Sequence, residues 1–180
     1  VTAEPRWSTP RTRGRRTTGA QVARYAEQIG RELMPWQHHV ARLGGELVEH
    51  ESGLLVPAHR EVVFGVPRQS GKTTLLQAVS QQRARGAPWQ QAGPRPQRIL
   101  YSAQTGRAAS EKLVDDWFPE FAPRRAVLGV RRLYRGVGKE GLYWSNGSLM
   151  SLMADNPSAG HGKTLHLGLQ DELFADADDR

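Results

Sequence analysis

Apolar residues near the start of the chain recur with the period of an α-helix. Four of them are spaced at i, i+3, i+4 and i+7, namely Val22, Tyr25, Ala26 and Ile29. This spacing predicts an amphipathic helix that begins near Ala20. Pro35 predicts the start of a second helix, because proline at the first helical position loses no intrahelical hydrogen bond. The inner face of that helix is predicted to carry Trp36, Val40 and Leu43.

Short apolar runs further along the chain predict strands. The run EVVFGV at 61–66 is β-branched and aromatic, which favours a buried strand that ends before Pro67. A second strand is predicted for RILYSAQ at 98–104, and a third for LHLGLQDELF at 165–174, which contains two consecutive acids. The stretch 142–153, LYWSNGSLMSLM, has Asn-Gly between two apolar runs and therefore predicts a hairpin.

Helical segments separate these strands. The composition of KTTLLQAVSQQRAR, which follows Gly71, favours a helix. In GRAASEKLVDDWF, three apolar residues lie four apart and therefore on one helix face, namely Ala109, Leu113 and Trp117. Strands that alternate with helices imply an α/β fold whose largely parallel sheet is flanked by helices.

Composition excludes some classes of protein. The chain has 180 residues, of which 38% are apolar, and this suits one domain with a sizeable core. It has no cysteine, which excludes disulfides and thiolate metal sites and fits a reducing compartment. No apolar run reaches the length of a membrane span, and no secretory signal is visible at the start.

The net charge of +7 is unevenly distributed. Residues 1–19 are rich in Arg, Thr, Pro and Gly and show no periodicity, which predicts a flexible basic arm before a domain at 20–180. Basic residues also concentrate between 121 and 140, whereas the last ten residues are acidic. Basic stretches favour a polyanionic partner, and the alternative is a solvated tail and a solvated face.

The stretch VPRQSGKT at 66–73 contains the Gly-Lys-Thr that ends a phosphate-binding loop. Gly71 gives the backbone its conformational freedom, Lys72 supplies charge for the β- and γ-phosphates, and Thr73 offers a hydroxyl to Mg²⁺. The usual spacing requires glycine where this chain has Val66, so a chance Gly-Lys-Thr is the competing interpretation. A second Gly-Lys-Thr, at 162–164, precedes a predicted strand instead of a helix, so we interpret its lysine as an ordinary loop residue.

The second half of a nucleotide site would be a strand that ends in acids. Asp171 ends the third predicted strand and Glu172 follows it directly. The first carboxylate would hold Mg²⁺ and the second would orient water toward the γ-phosphate. The alternative is a solvated acidic turn.

Several segments, in order, resemble the large terminase subunits of tailed bacteriophages, the motors that package DNA into capsids. PRQSGKT at 67–73 resembles the variant phosphate loop of that family, in which the first glycine is commonly absent. LMPWQ at 33–37 resembles its adenine-recognition motif, and ILYSAQTGRAA at 99–109 resembles its second strand and following helix. The stretch 145–174 resembles the segment that leads into its Walker B acids.

The resemblance implies a role for each matching residue. Gln37 would bind adenine through its side-chain amide, the alternative being a surface glutamine beside a core tryptophan. Glu172 would be the catalytic carboxylate, and Arg68 a charge-stabilising finger in cis, the alternative being a solvated or structural arginine. Mg²⁺ would be held by Thr73 and Asp171. The loop residues that would contact ATP are Arg68, Gln69, Ser70, Gly71, Lys72, Thr73 and Thr74.

The family also implies a fold and partners. The expected fold is an additional-strand P-loop NTPase, and the expected activity is Mg²⁺-dependent ATP hydrolysis that moves double-stranded DNA. The expected partners are the portal protein and the small terminase subunit, in a ring assembled in the bacterial cytoplasm. The chain stops soon after the Walker B acids, before any nuclease domain, so we expect an incomplete ATPase part. Another P-loop DNA motor such as a helicase, or a nucleotide- or DNA-binding fragment without turnover, is the alternative.

Overall fold

The computed structural model describes residues 5–86, 95–152 and 164–171. The chain forms two compact units, Val1–Pro94 and Arg95–Arg180. It has an α/β fold with a mixed five-stranded sheet flanked by helices.

The first unit is mainly helical. Its elements are α1 (Gly19–Ile29), α2 (Pro35–Gly44), β1 (Leu47–Glu49), β2 (Leu55–Pro57) and α3 (Lys72–Gly86). The three predicted helices are therefore confirmed. Their core contains Val22, Ala26, Leu33, Ala41, Leu75 and Ala78. Helix α2 turns Gln37 and Ala41 fully inward, whereas the predicted inner residues Trp36, Val40 and Leu43 are half-buried.

The second unit contains the sheet. Its strands are β3 (Arg98–Ser102), β4 (Val130–Tyr134), β5 (Gly141–Trp144), β6 (Leu149–Leu152) and β7 (Leu167–Gln170). In the order β4-β5-β6-β3-β7, β3 is parallel to β6 and β7, whereas β5 is antiparallel to β4 and β6. The sheet is therefore mixed instead of largely parallel, because the hairpin adds antiparallel strands at one edge.

The hairpin predicted at Asn146-Gly147 joins β5 to β6. Gly147 has a φ of 84°, which lies in the left-handed region that glycine occupies without a steric penalty. The backbone N–H of Trp144 donates to the carbonyl of Ser148 at 2.9 Å and closes the turn. The register pairs Leu142 with Met150, and both side chains are completely buried.

A helical segment packs beside β3 and β6 and carries the aromatic core of this unit. It consists of α4 (Gly106–Glu111), a π-helical turn (Lys112–Trp117) and α5 (Phe118–Phe121). The predicted face is confirmed, since Ala109, Leu113 and Trp117 are all completely buried. The ring of Trp117 lies 5.2 Å from that of Tyr101, centroid to centroid.

The strand predicted at 61–66 is wrong. These residues have no strand structure, and Val62 and Val63 are 43% and 61% exposed. Phe64 packs against Trp36 with 5.9 Å between ring centroids, and this contact with α2 anchors the segment. High β-propensity produces a strand only where a partner strand completes the hydrogen bonding, so propensity alone misled the prediction.

The basic arm contacts the rest of the first unit from Ser8 onward, where the Ser8 hydroxyl lies 2.8 Å from Nε2 of His39. Glu46 is 1% exposed, and its carboxylate accepts hydrogen bonds from the Thr12 N–H at 3.0 Å and from Arg15 at 3.2 Å. Arg11 and His59 lie within 3.8 Å of the same carboxylate. Burial by itself would raise the pKa of Glu46, but these hydrogen bonds and positive charges outweigh it and lower the pKa.

Among the residues that the structure describes, no helix combines the length and apolar character needed to cross a bilayer.

Glu46→Gln should lower the free energy of unfolding by about 1–3 kcal/mol, because the buried carboxylate is the shared acceptor of the arm. A lowered pKa means that this stabilisation is complete above the ordinary value of 4.5 and is lost as the pH falls through the folded-state value. Urea unfolding as a function of pH measures both effects. The matched control is Glu49→Gln, which changes an exposed glutamate three residues further along the chain, at the end of β1. Equal losses in the two variants would contradict the tether.

Candidate functional site

The loop before α3 has a backbone that is shaped by two residues with positive φ. Gln69 has a φ of 59° and Gly71 a φ of 85°. The hydroxyl of Ser70 donates to the carbonyl of Pro67 at 2.7 Å and closes the turn between them. A Cβ atom at Gly71 would lie 3.0 Å from Nε2 of Gln37, so a side chain there would crowd that amide, and the positive φ independently favours glycine.

Two side chains of α2 hold the carbonyl groups of this loop. The indole N–H of Trp36 donates to the carbonyl of Ser70 at 3.2 Å, and Nε2 of Gln37 donates to that of Gly71 at 2.7 Å. In a trans peptide the C=O and the following N–H point in opposite directions. The N–H groups of Gly71 and Lys72 therefore point away from α2, where a bound anion could accept both hydrogen bonds.

The predicted loop residues are brought together at the start of a fifteen-residue helix. Its N-terminal end carries a partial positive charge, and backbone N–H groups at such an end can bind an anion. Arg68 and Gln69 are exposed, whereas five residues are half-buried, namely Ser70, Gly71, Lys72, Thr73 and Thr74. The arrangement combines backbone donors, an ammonium group and a hydroxyl within one turn of chain, which is the chemistry that a polyphosphate requires.

Val66 does not disturb the loop. The left-handed residues of the turn are Gln69 and Gly71, and Val66 has a negative φ that any residue can adopt. The turn therefore forms after position 66, which explains how the loop dispenses with the usual first glycine.

A cavity of about 850 Å³ lies beside the loop. Its size falls in the range of small-molecule pockets. It is lined by α2, by the segment 62–67 and by residues 5–9 of the arm, and Trp36, Phe64, Pro67 and Ser70 are among its lining residues. Gln37 is not among the described residues that line it, because its amide is turned to the backbone. Oε1 of Gln37 accepts the N–H of Met34 at 2.6 Å, and the side chain is 1% exposed.

Asp171 belongs to the second unit and follows β7. Its side chain is 4% exposed, and its backbone N–H donates to the carbonyl of Ser102 at 2.9 Å. Oδ2 lies 2.8 Å from Nζ of Lys112 and accepts a longer hydrogen bond, 3.4 Å, from the hydroxyl of Tyr101. The carboxylate is thus held at the end of a strand by a cation. Glu172 lies outside the described residues.

Sequence analysis did not find three of these contributions. Lys112 was missed because a lysine on a helix normally reaches solvent, and only the fold brings it to Asp171. The indole of Trp36 was assigned to packing instead of hydrogen bonding. The hydrogen bond from the Met34 N–H to Gln37 could have been predicted from the sequence. Gln37 is the third residue of a helix that begins at Pro35, and a glutamine at that position often accepts the backbone N–H of the residue before the helix.

Comparisons of this chain with protein-family models, with curated proteins and with solved structures gave no match.

Gln37→Met removes both hydrogen bonds of the amide while it keeps the length of the side chain. If the amide shapes the loop, affinity for Mg-ATP and for Mg-tripolyphosphate, which has no base, should fall together by about tenfold. Titration calorimetry with both ligands checks this, and His38→Ala on the exposed face of α2 is the control. A loss confined to Mg-ATP would instead show that the amide contacts adenine.

Lys112→Met should lower the free energy of unfolding by about 1–3 kcal/mol, because the buried carboxylate of Asp171 loses a charged partner. In a double-mutant cycle with Asp171→Asn, the two losses should fall short of additivity by at least about 0.5 kcal/mol. A parallel cycle with Asp116→Asn, exposed on the same π-helical turn, should be additive. Additivity in both cycles would refute the Lys112–Asp171 pair.

Proposed function

We propose that this chain is the ATP-hydrolysing part of a DNA-packaging motor of the large terminase type. The observation that supports the proposal is the loop at 67–74, where Trp36 and Gln37 hold the carbonyls of Ser70 and Gly71 and where Lys72 and Thr73 begin α3. The ordered resemblance of the stretches at 33–37, 67–73, 99–109 and 145–174 to that family supports packaging over other uses of a phosphate loop.

Each loop residue has a definite task toward ATP. The N–H groups of Gly71 and Lys72 donate to phosphate oxygens, and the ammonium group of Lys72 balances charge on the β- and γ-phosphates. The hydroxyl of Thr73 and, in the second unit, the carboxylate of Asp171 are each a hard oxygen ligand of the kind that Mg²⁺ prefers. Bound Mg²⁺ would neutralise charge that develops on the transferred phosphoryl group. Ser70 and Thr74 complete the polar lining.

The cavity beside the loop suits the nucleoside. The rings of Trp36 and Phe64 offer apolar surface for a base, and Pro67 and Ser70 belong to both the cavity and the loop. In this arrangement Gln37 acts on the nucleotide through the loop that it holds. Gln69 contributes through its backbone, since its side chain is exposed.

Hydrolysis would be carried by charged side chains. Glu172 would orient the attacking water, and Arg68 would stabilise negative charge in the transition state. Arg68 is exposed and forms no ion pair with a carboxylate in the described part of the chain, so its guanidinium can turn toward a phosphate. We expect the motor to act on double-stranded DNA, with the portal protein and the small terminase subunit as further partners, in a ring.

The same tripeptide at two places in the chain provides a direct test of the loop. Lys72→Ala should weaken binding of Mg-ATP by at least about 100-fold, because it removes the charged contact to the phosphates. Lys163→Ala alters the other Gly-Lys-Thr and should leave the affinity unchanged. Calorimetry measures both. Unchanged affinity in Lys72→Ala would remove the basis of the proposal.

A second comparison separates a motor from a protein that only binds nucleotide. Glu172→Gln should retain the affinity for Mg-ATP and lose phosphate release, because the water loses the carboxylate that orients it. If the unaltered chain binds Mg-ATP and releases no phosphate, the chain is a nucleotide-binding module and not an ATPase.

A further inference from the structure

A group of basic side chains in the second unit has no acidic partner among the residues that the structure describes. It consists of Arg124, Arg125, Arg131, Arg132, Arg135 and Lys139, which we call the arginine edge. Within the described part of the chain none of the six forms an ion pair, and Arg124 and Arg125 donate only to the backbone carbonyls of Glu120 and Arg131. Elsewhere in the described chain, the half-buried Arg15 and the exposed Arg107 do pair with carboxylates. The charge of the arginine edge is therefore not balanced within the described residues.

A bulge in β4 exposes two of these arginines side by side. The register shifts between Val130, which faces Trp144, and Arg132, which faces Tyr143, so Arg131 is the extra residue. In a regular strand, consecutive side chains point to opposite faces. Here the bulge breaks the alternation, and Arg131 and Arg132 are both exposed. Because β4 is the edge strand of the sheet, this pair lies on an open side of the unit.

Two aromatic rings fix the guanidinium groups without neutralising them. The guanidinium of Arg132 lies 4.5 Å from the ring centroid of Tyr134, and that of Arg135 lies 5.2 Å from that of Phe118. A guanidinium group that lies over an aromatic ring keeps its full charge. Its N–H groups that point away from the ring can still donate hydrogen bonds to a ligand. These arginines are thus oriented in advance for phosphate oxygens, which a merely solvated arginine is not.

We propose that the arginine edge binds the phosphate backbone of double-stranded DNA. Guanidinium groups match phosphate in geometry and charge, which accounts for the absence of acidic partners. A duplex is favoured over a single strand because single-strand binding relies on exposed rings that stack with bases. At this edge Phe118 is completely buried and the ring of Tyr134 is covered by Arg132, so neither ring is free to stack. The contact requires neither ATP nor the loop at 67–74.

The affinity for DNA and its dependence on salt test the proposal. Fluorescence anisotropy with a labelled duplex of about 20 base pairs, between about 50 and 200 mM salt, gives both quantities. Each lost phosphate contact should reduce the salt slope by about 0.9 and the affinity at 0.1 M salt by about eightfold. The single variant Arg131→Gln should show one such loss, and the double variant Arg131→Gln with Arg132→Gln should show two. Arg131→Lys keeps the positive charge and should therefore retain most of the salt slope.

Arg107→Gln is the matched control, because it removes the same charge from an exposed arginine in the same unit that already pairs with Glu111 at 2.8 Å. It should leave the slope unchanged. An equal loss in Arg107→Gln would show that net charge alone attracts DNA and would overturn the proposal, as would tighter binding of a single strand or of duplex RNA of equal length. Lys72→Ala should bind the duplex normally, so failure of the nucleotide site is distinguishable from failure of this surface. Thermal unfolding of each variant shows that it is folded.

Discussion

The buried amide of Gln37 is the interaction on which the geometry of the candidate site depends. One side chain joins two segments, since Oε1 accepts the N–H of Met34 and Nε2 donates to the carbonyl of Gly71. A buried amide is stable only when its donors and acceptors are paired, so the loop is held in one arrangement instead of several. The indole of Trp36 adds a second contact one residue earlier. Together these two contacts orient the N–H groups of Gly71 and Lys72 away from α2. A phosphate group could accept hydrogen bonds from N–H groups in that orientation.

The same kind of interaction organises other irregular segments of this chain. Backbone without regular structure must find hydrogen-bond partners outside a helix or sheet ladder, and a buried charged side chain can supply several at once. Glu46 does so for the arm, and Lys112 fixes the carboxylate of Asp171 at the end of β7. These contacts lie in different units, Glu46 in the first and Lys112 with Asp171 in the second. In each unit a buried carboxylate fixes the position of a segment that is distant in the sequence.

Local patterns predicted α1, α2, α3 and the hairpin because each has a signal within a few residues, such as Pro35 or Asn146-Gly147. The features that depend on distant residues were not predictable in this way. The segment 61–66 has strand composition, but Phe64 packs against Trp36 and no strand forms. Helix α3 buries Gln77, Ser80 and Gln81, which no rule of amphipathic spacing anticipates. The loop at 67–73 was found because its chemistry is carried by adjacent residues, whereas Lys112 and Asp171 are 59 positions apart.

Val66 and Gln69 together explain how a loop without the usual first glycine reaches its shape. The usual first glycine lets the chain leave the preceding segment through a conformation that other residues resist. In this chain the residue with the unusual backbone conformation is Gln69. Its φ of 59° costs a residue with a Cβ atom about 1 kcal/mol or more. Such strain persists only where the surroundings enforce it, and it concentrates at functional sites. Here the contacts of Ser70 and Gly71 with their neighbours enforce it. With Val66 in place of the usual glycine, the strained residue is Gln69, and the groups that we propose bind phosphate keep their arrangement, which is why Val66 does not argue against the proposed site.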